Sequence, residues 1–439
     1  MAIRITERDR TAILSSLGAG VVPRVGLAHV QVGRKAEVTA MLQDLANVEA
    51  GGAAVRFVVG RFGSGKTFFM YLMQTVALER KFVVAKADIT VDRRLAASGG
   101  QARSLFSELM KGVATRGKPD GGALANLVER WVGSVADEVT AQGGASDAVG
   151  AEIRKRLKPL EDLVGGYDFA NVLAQYYKGF STDNDALRSA AVRWLRGEYT
   201  TKTQARADLG VRSIIDDDSF YDYLKLFARF VRIAGHAGLI VCLDELVVLS
   251  HRLSSRTSRN NNYEAILRII NDCLQGNVEG LGFIFAATED CLTDKRRGLF
   301  SYEALATRLA DNRFAREGMV DLSGPVLRLA PLTPEDCYVL LFNIRHVQAL
   351  GDSARYLLPD DGIEAYLKSC RERLGAAYFQ TPRETVKDFV GLLNVLAQNS
   401  QADYKTLIGN IKTTQVQTLD EAVANPVAEV EDGLTTFKL

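Results

Sequence analysis

Gly60–Arg61–Phe62–Gly63–Ser64–Gly65–Lys66–Thr67 follows directly on the apolar run Val55–Arg56–Phe57–Val58–Val59. The octet matches the pattern G-x-x-x-x-G-K-[ST], whose meaning depends on a strand in front of it and a helix behind. Val55 to Val59, β-branched and aromatic and ending at a glycine, reads as a buried strand. Lys66 to Leu78 reads as the helix. Glycines let the backbone curl so that successive N–H groups face phosphate oxygens, and the helix adds its positive N-terminal end. Gly60, Phe62, Gly63, Ser64, Gly65, Lys66, Thr67 and Phe68 are therefore expected around a nucleotide. Lys66 is expected on the β- and γ-phosphates of ATP, and Thr67 on Mg²⁺.

A second stretch, Leu239–Ile240–Val241–Cys242–Leu243–Asp244–Glu245, is an apolar strand ending in two carboxylates. If its carboxyl end faces the same nucleotide, Asp244 can hold the Mg²⁺ shell and Glu245 can deprotonate the attacking water. Gly282 to Ala287 reads as another buried strand, and Thr288 and Glu289 close it. Thr288 either touches the γ-phosphate or the lytic water, or simply caps the strand end. Thr381–Pro382–Arg383–Glu384 opens a C-terminal helix, from which Arg383 either reaches the γ-phosphate or lies in solvent. Arg308, Arg313 and Arg316 offer an arginine finger acting on a neighbouring subunit, or a solvated helix face. Arg252, Arg256, Arg259 and Lys295–Arg296–Arg297 are basic clusters after strand ends, open to DNA phosphates or to solvent.

Phe82 to Ile89 and Val326 to Leu329 complete five expected strands. Short buried strands alternating with helices imply an α/β fold, a parallel sheet covered on both faces. Residues 92–235 carry helical periodicity and too many residues for a crossover, so they are expected to form a helical insertion. The expected division is an N-terminal segment and first half of a nucleotide-binding core over 1–91, and that insertion. The second half of the core follows over 236–332, a helical lid over 333–412, and a flexible acidic tail over 413–439.

Composition is that of a globular protein: 439 residues, 47% hydrophobic and 24% charged. A net charge of +1 excludes a global polycation. No apolar run approaches the roughly 20 residues that span a bilayer, and the first ten residues lack a signal-peptide core. The five cysteines lie far apart and form no C-x-x-C, so no zinc site or disulfide framework is expected, which suits a reduced, cytoplasmic compartment.

The segment Val32–Gly33–Arg34–Lys35–Ala36–Glu37, the two acidic and glycine-rich motifs, Thr288 and Arg383 together resemble an AAA+ P-loop ATPase of the origin-recognition type. The resemblance implies that Val32, Gly33 and Arg34 lie against the adenine, that Thr288 is sensor 1, and that Arg383 is sensor 2. Sensor 1 is often asparagine in that family, so Thr288 departs from it. More closely, the chain resembles the ATP-binding proteins of BREX-type phage-defence systems. Pro23–Arg24–Val25–Gly26–Leu27, Gly60 to Phe69, Trp194–Leu195–Arg196–Gly197–Glu198, Gly238–Leu239, Asp244–Glu245–Leu246 and Thr381–Pro382–Arg383–Glu384 carry that likeness over nearly the whole chain. It implies a bacterial host, a role against foreign DNA, and partners encoded alongside, a helicase-like protein among them.

Three functions remain open to the sequence. One is an ATPase, acting as a homo-oligomer, whose cycle drives or regulates a DNA-directed defence complex. Another is a switch or scaffold that binds ATP and turns it over little. The weakest is a small-molecule kinase, which needs neither a remote lid arginine nor so large an insertion. Glu245 favours the first, because a pure binder needs no base.

Overall fold

The computed structural model describes residues 4–314, 321–374 and 382–409. Thr381, Arg316 and the tail from 413 lie outside the described residues. The five strands are β1 (Ala53–Val59), β2 (Val83–Asp88), β3 (Leu239–Asp244), β4 (Leu281–Ala287) and β5 (Val326–Arg328), each within a few residues of its expected position. They form one sheet in the order β2-β3-β4-β1-β5, and every pairing is parallel. All the strands therefore end on one edge. β4 lies between β1 and β3, so the loop after β1 and the carboxylates after β3 stand one strand apart.

Parallel strands are buried on both faces, which is why these segments carry almost no polar residues. Val55, Phe57 and Val59 of β1 face one layer, while Val58 faces the other. Phe57, Phe285 and Phe283 form a stacked row on the first face, with ring centroids 4.8 and 5.9 Å apart. Arg56 is the exception: buried on the second face, its guanidinium meets both carboxylate oxygens of Asp44 and the carbonyls of Leu322 and Gly324. A buried charge is tolerated only when paired and hydrogen-bonded in this way.

The second face is covered by the helices Lys35–Glu49 and Lys66–Glu79. The first is covered by Arg256–Gln275 and by the helices of the insertion, from Gln101–Lys111 to Phe220–Ile233. The buried side chains of the insertion, such as Trp131, Phe169, Trp194 and Phe230, belong to one continuous apolar cluster with the sheet face. A third cluster joins the C-terminal helices Pro334–Gln348 and Pro382–Gln398 to Ile13 and Val30, so the N-terminal helix Glu7–Gly18 packs with the C-terminal end of the chain. All five cysteines are buried free thiols. Among the described residues no helix is long and apolar enough to cross a membrane.

Candidate functional site

The loop after β1 is tied down at its first residue: the Gly60 N–H donates to the carbonyl of Ala287, the last residue of β4, at 3.2 Å. Gly63 and Gly65 adopt φ of 75° and 91°, which a side chain resists. A Cβ on Gly60 would stand 2.5 Å from Ser64 Oγ, so a side chain there would force Ser64 to move. Ser64 Oγ is buried without a protein hydrogen-bond partner. Lys66 folds back over the loop, and its Nζ donates to the carbonyls of Gly60 at 2.8 Å and Arg61 at 2.9 Å. Burial lowers the Lys66 pKa, while the carboxylates of Asp244 and Glu245 act to raise it.

Thr67, on the first turn of the helix Lys66–Glu79, donates its hydroxyl to Asp244 Oδ2 at 3.1 Å across 177 residues of chain. The other oxygen of Asp244 accepts from the Glu245 N–H at 2.8 Å. Burial pushes the Asp244 pKa up, and the nearby Asp88 adds to the rise. Glu245 likewise titrates above the ordinary glutamate range, through burial first and then the charges of Asp244 and Asp88. Its φ is 60°, a left-handed conformation that costs a non-glycine residue about 1–3 kcal/mol and is concentrated at functional positions.

Thr288 begins the short helix Glu289–Thr293, and its hydroxyl oxygen accepts from the Cys291 N–H at 3.2 Å. The capping geometry is therefore present. The hydroxyl proton is not used by that bond, and Thr288 directly follows the residue to which Gly60 is tied.

Arg34 is held in a left-handed backbone with φ of 58°. Its Nη2 donates to the Ser64 carbonyl inside the loop at 2.8 Å and its Nη1 to Ala330 O at 3.1 Å, beside the carboxylate of Glu37. Gly33 lies so close to Asp336 that a Cβ would come within 3.0 Å of its carboxylate. Val32 is half-buried beside them. Phe68 packs against the cluster formed by the C-terminal helices. From those helices Arg383 sets its guanidinium 5.1 Å over the ring of Phe62, which is 53% exposed. The charge of Arg383 is felt at Lys66, whose pKa it lowers. The structure thus gathers Val32, Gly33, Arg34, Gly60 to Phe68, Asp244, Glu245, Thr288 and Arg383 around one edge of the sheet.

Arg308 is engaged elsewhere: its Nε donates to Asn271 at 2.6 Å and its Nη1 to the Ala304 carbonyl at 3.1 Å. Arg313 is exposed. One member of the expected basic patch is corrected. Arg259 is buried and donates to the carbonyls of Leu253 at 2.8 Å and Ser254 at 3.0 Å, so it anchors the turn before its own helix. Arg252, Arg256, Lys295, Arg296 and Arg297 remain exposed.

Two features escaped the sequence reading. The pairing of Arg383 with Phe62 depends on packing across the chain and leaves no local signal. Asp88 closes β2 as Asp244 closes β3, and the acid at the end of Phe82–Ile89 was the available clue.

No curated protein gave a match to this chain. A family model described as BREX system ATP-binding protein BrxC/D matches residues 5–412. That span takes in the glycine-rich loop, the two carboxylates after β3 and Arg383, and nearly every described residue. The chain belongs to the BREX system ATP-binding protein BrxC/D family.

Proposed function

We propose that this protein is an AAA+ P-loop ATPase that binds ATP with Mg²⁺ and hydrolyses it to drive or regulate a DNA-directed anti-phage complex. The observation that carries the reading is the meeting of Thr67 and Asp244 at 3.1 Å beside a loop that holds Lys66. A hydroxyl and a carboxylate from distant segments, at the foot of a glycine-rich loop, are the protein donors a magnesium nucleotide needs. The buried Ser64 Oγ and the positive φ of Gly63 and Gly65 fit the same ligand. The strand order, with β4 between β1 and β3, supports a P-loop sheet.

In this reading the loop N–H groups and the N-terminus of the helix Lys66–Glu79 hold the phosphates. Lys66 exchanges its two loop carbonyls for phosphate oxygens, which restores its ordinary preference for the charged form. Thr67 and Asp244 would hold Mg²⁺, whose charge would offset that of the nucleotide's phosphates. Glu245 accepts a proton from water as that water's oxygen bonds to the γ-phosphorus, while the bond from that phosphorus to the β–γ bridging oxygen breaks and ADP leaves. A raised pKa makes it a stronger base than a solvated carboxylate. Thr288 donates its free hydroxyl proton towards the γ-phosphate or the water. Arg383 leaves Phe62 for the γ-phosphate, and Val32, Gly33 and Arg34 flank the adenine. Arg308 serves a neighbouring copy as a finger, and the exposed basic residues after β3 and β4 meet DNA. A helicase-like protein of the same defence system is the expected partner, and the compartment is the cytoplasm.

The rival reading, an ATP-gated switch, draws on Arg383 resting on Phe62, because a lid contact at the loop can report nucleotide occupancy without turnover. Phosphate release by the wild type and by Glu245→Gln, with and without DNA, separates the two. The amide keeps the shape and cannot take the proton, so turnover should fall by about 10²–10⁴-fold with ATP still bound. A wild type that binds ATP and releases no phosphate under any condition favours the switch.

A further inference from the structure

Asp88 and Asp244 are opposed in the register of β2 and β3. Along β2, Val83, Ala85 and Ala87 enter the core on one face of the sheet and Val84 the core on the other. Asp88, an even number of residues from Val84, belongs to the Val84 face. By the same alternation Asp244 shares the face of Ile240 and Cys242, which belong to the same core as Val84. That face is the one covered by the helix Lys66–Glu79, which supplies Thr67. Neighbouring strands lie about 4.7–4.9 Å apart, so side chains opposed on one face are close neighbours. Asp88 is exposed at the end of its strand.

Asp88, Asp244 and Glu245 are three carboxylates at the end of two strands, with the cations Lys66, Lys86, Arg252 and Arg383 around them. Thr67 and Asp244 are already joined as the pair suited to a divalent cation. Among the described residues no three acidic, histidine or cysteine side chains converge closely enough to hold a metal ion on their own. A third carboxylate beside such a pair therefore reaches an ion through the water molecules of its shell, which suits Mg²⁺ because that ion keeps several waters.

We infer that Asp88 is a positioning residue of the cation site: it accepts hydrogen bonds from ion-bound water and sets the affinity for the divalent metal. The inference rests on the magnesium-nucleotide reading of the site. Its signature has two opposite signs. Without Asp88 the site holds a divalent cation less tightly, because one outer acceptor and one negative charge are gone. The same loss lowers repulsion towards bare phosphate, so a metal-free nucleotide binds as well or better. A merely structural carboxylate would weaken both.

The test uses the full chain and the probe Mn²⁺, with the slowly hydrolysed analogue ATPγS. Free Mn²⁺ is counted by electron paramagnetic resonance across a titration of the protein–nucleotide complex. In parallel, ATPγS affinity is measured in excess EDTA. Asp88→Asn should weaken Mn²⁺ binding by about tenfold, as outer-shell substitutions at metal sites do. Its affinity for ATPγS in EDTA should be unchanged or higher. Asp88→Glu, which keeps the acceptor charge, should recover most of the Mn²⁺ affinity. Equal Mn²⁺ affinity in wild type and Asp88→Asn overturns the inference, as does loss of both affinities together with failure of Asp88→Glu to recover the metal. A wild type that binds no Mn²⁺ with the nucleotide overturns the underlying site reading, a different result from either.

Discussion

Arg34→Ala should loosen the nucleotide loop from outside it. The Arg34 side chain is only 11% exposed and joins three parts of the chain: its own turn, the Ser64 carbonyl at 2.8 Å, and the Ala330 carbonyl at 3.1 Å. A hydrogen bond from a charged donor contributes about 1.5–3 kcal/mol. Two such bonds sum to about 3 kcal/mol at the low end, and water entering the vacated space returns part of it, leaving roughly 2 kcal/mol. Glu37 is then left buried beside a missing cation, which adds in the same direction. A local opening made easier by 2 kcal/mol speeds amide exchange about 30-fold. The assay is hydrogen–deuterium exchange over residues 60–69, where Gly60, Ser64 and Phe69 carry loop hydrogen bonds, together with nucleotide affinity. Arg34→Lys should lie between, because one ammonium cannot serve both carbonyls as a planar fork does. Exchange within threefold of wild type across the loop, with unchanged nucleotide affinity, would refute the idea that Arg34 braces it.

Asp244 offers a test by pH. Its folded pKa is raised, so the native state takes up a proton more readily than the unfolded chain. Metal-free protein should gain stability as pH falls through the raised value towards the ordinary one, and Asp244→Asn should exceed the wild type at neutral pH, the gap closing in acid. A denaturation series in EDTA measures this, and a less stable variant at neutral pH would contradict it. For Arg308, alanine should abolish turnover while sparing ATP binding if it acts in trans. Mixing that variant with Glu245→Gln protein in an assembly shown to exchange subunits should then restore part of the activity. If the bond to Asn271 is its whole role, stability falls and mixing restores nothing. Replacing Lys295, Arg296 and Arg297 by alanine should flatten the salt dependence of DNA affinity by about 0.9 per lost phosphate contact without altering ATP affinity. Equal slopes would assign those exposed charges to solvent.

The sequence by itself determined the five strands, the alternation that makes their sheet parallel, and the two motifs that close β1 and β3. These are local: a buried parallel strand must be apolar along its whole length, and a loop that curls round a phosphate must carry glycines where φ is positive. Gly63, Gly65 and the run Leu239–Leu243 could be read for that reason. Only the tertiary structure decided what meets across the fold. It brought Thr67 to Asp244, stacked Arg383 on Phe62 and opposed Asp88 to Asp244, contacts set by strand register and helix packing over long stretches of chain. It also distinguished arginines that look alike in sequence, burying Arg259 against carbonyls and leaving Arg256 in solvent. The N-terminal helix could not be assigned to the C-terminal cluster from its own pattern, since an amphipathic face records that it must be covered and not by what.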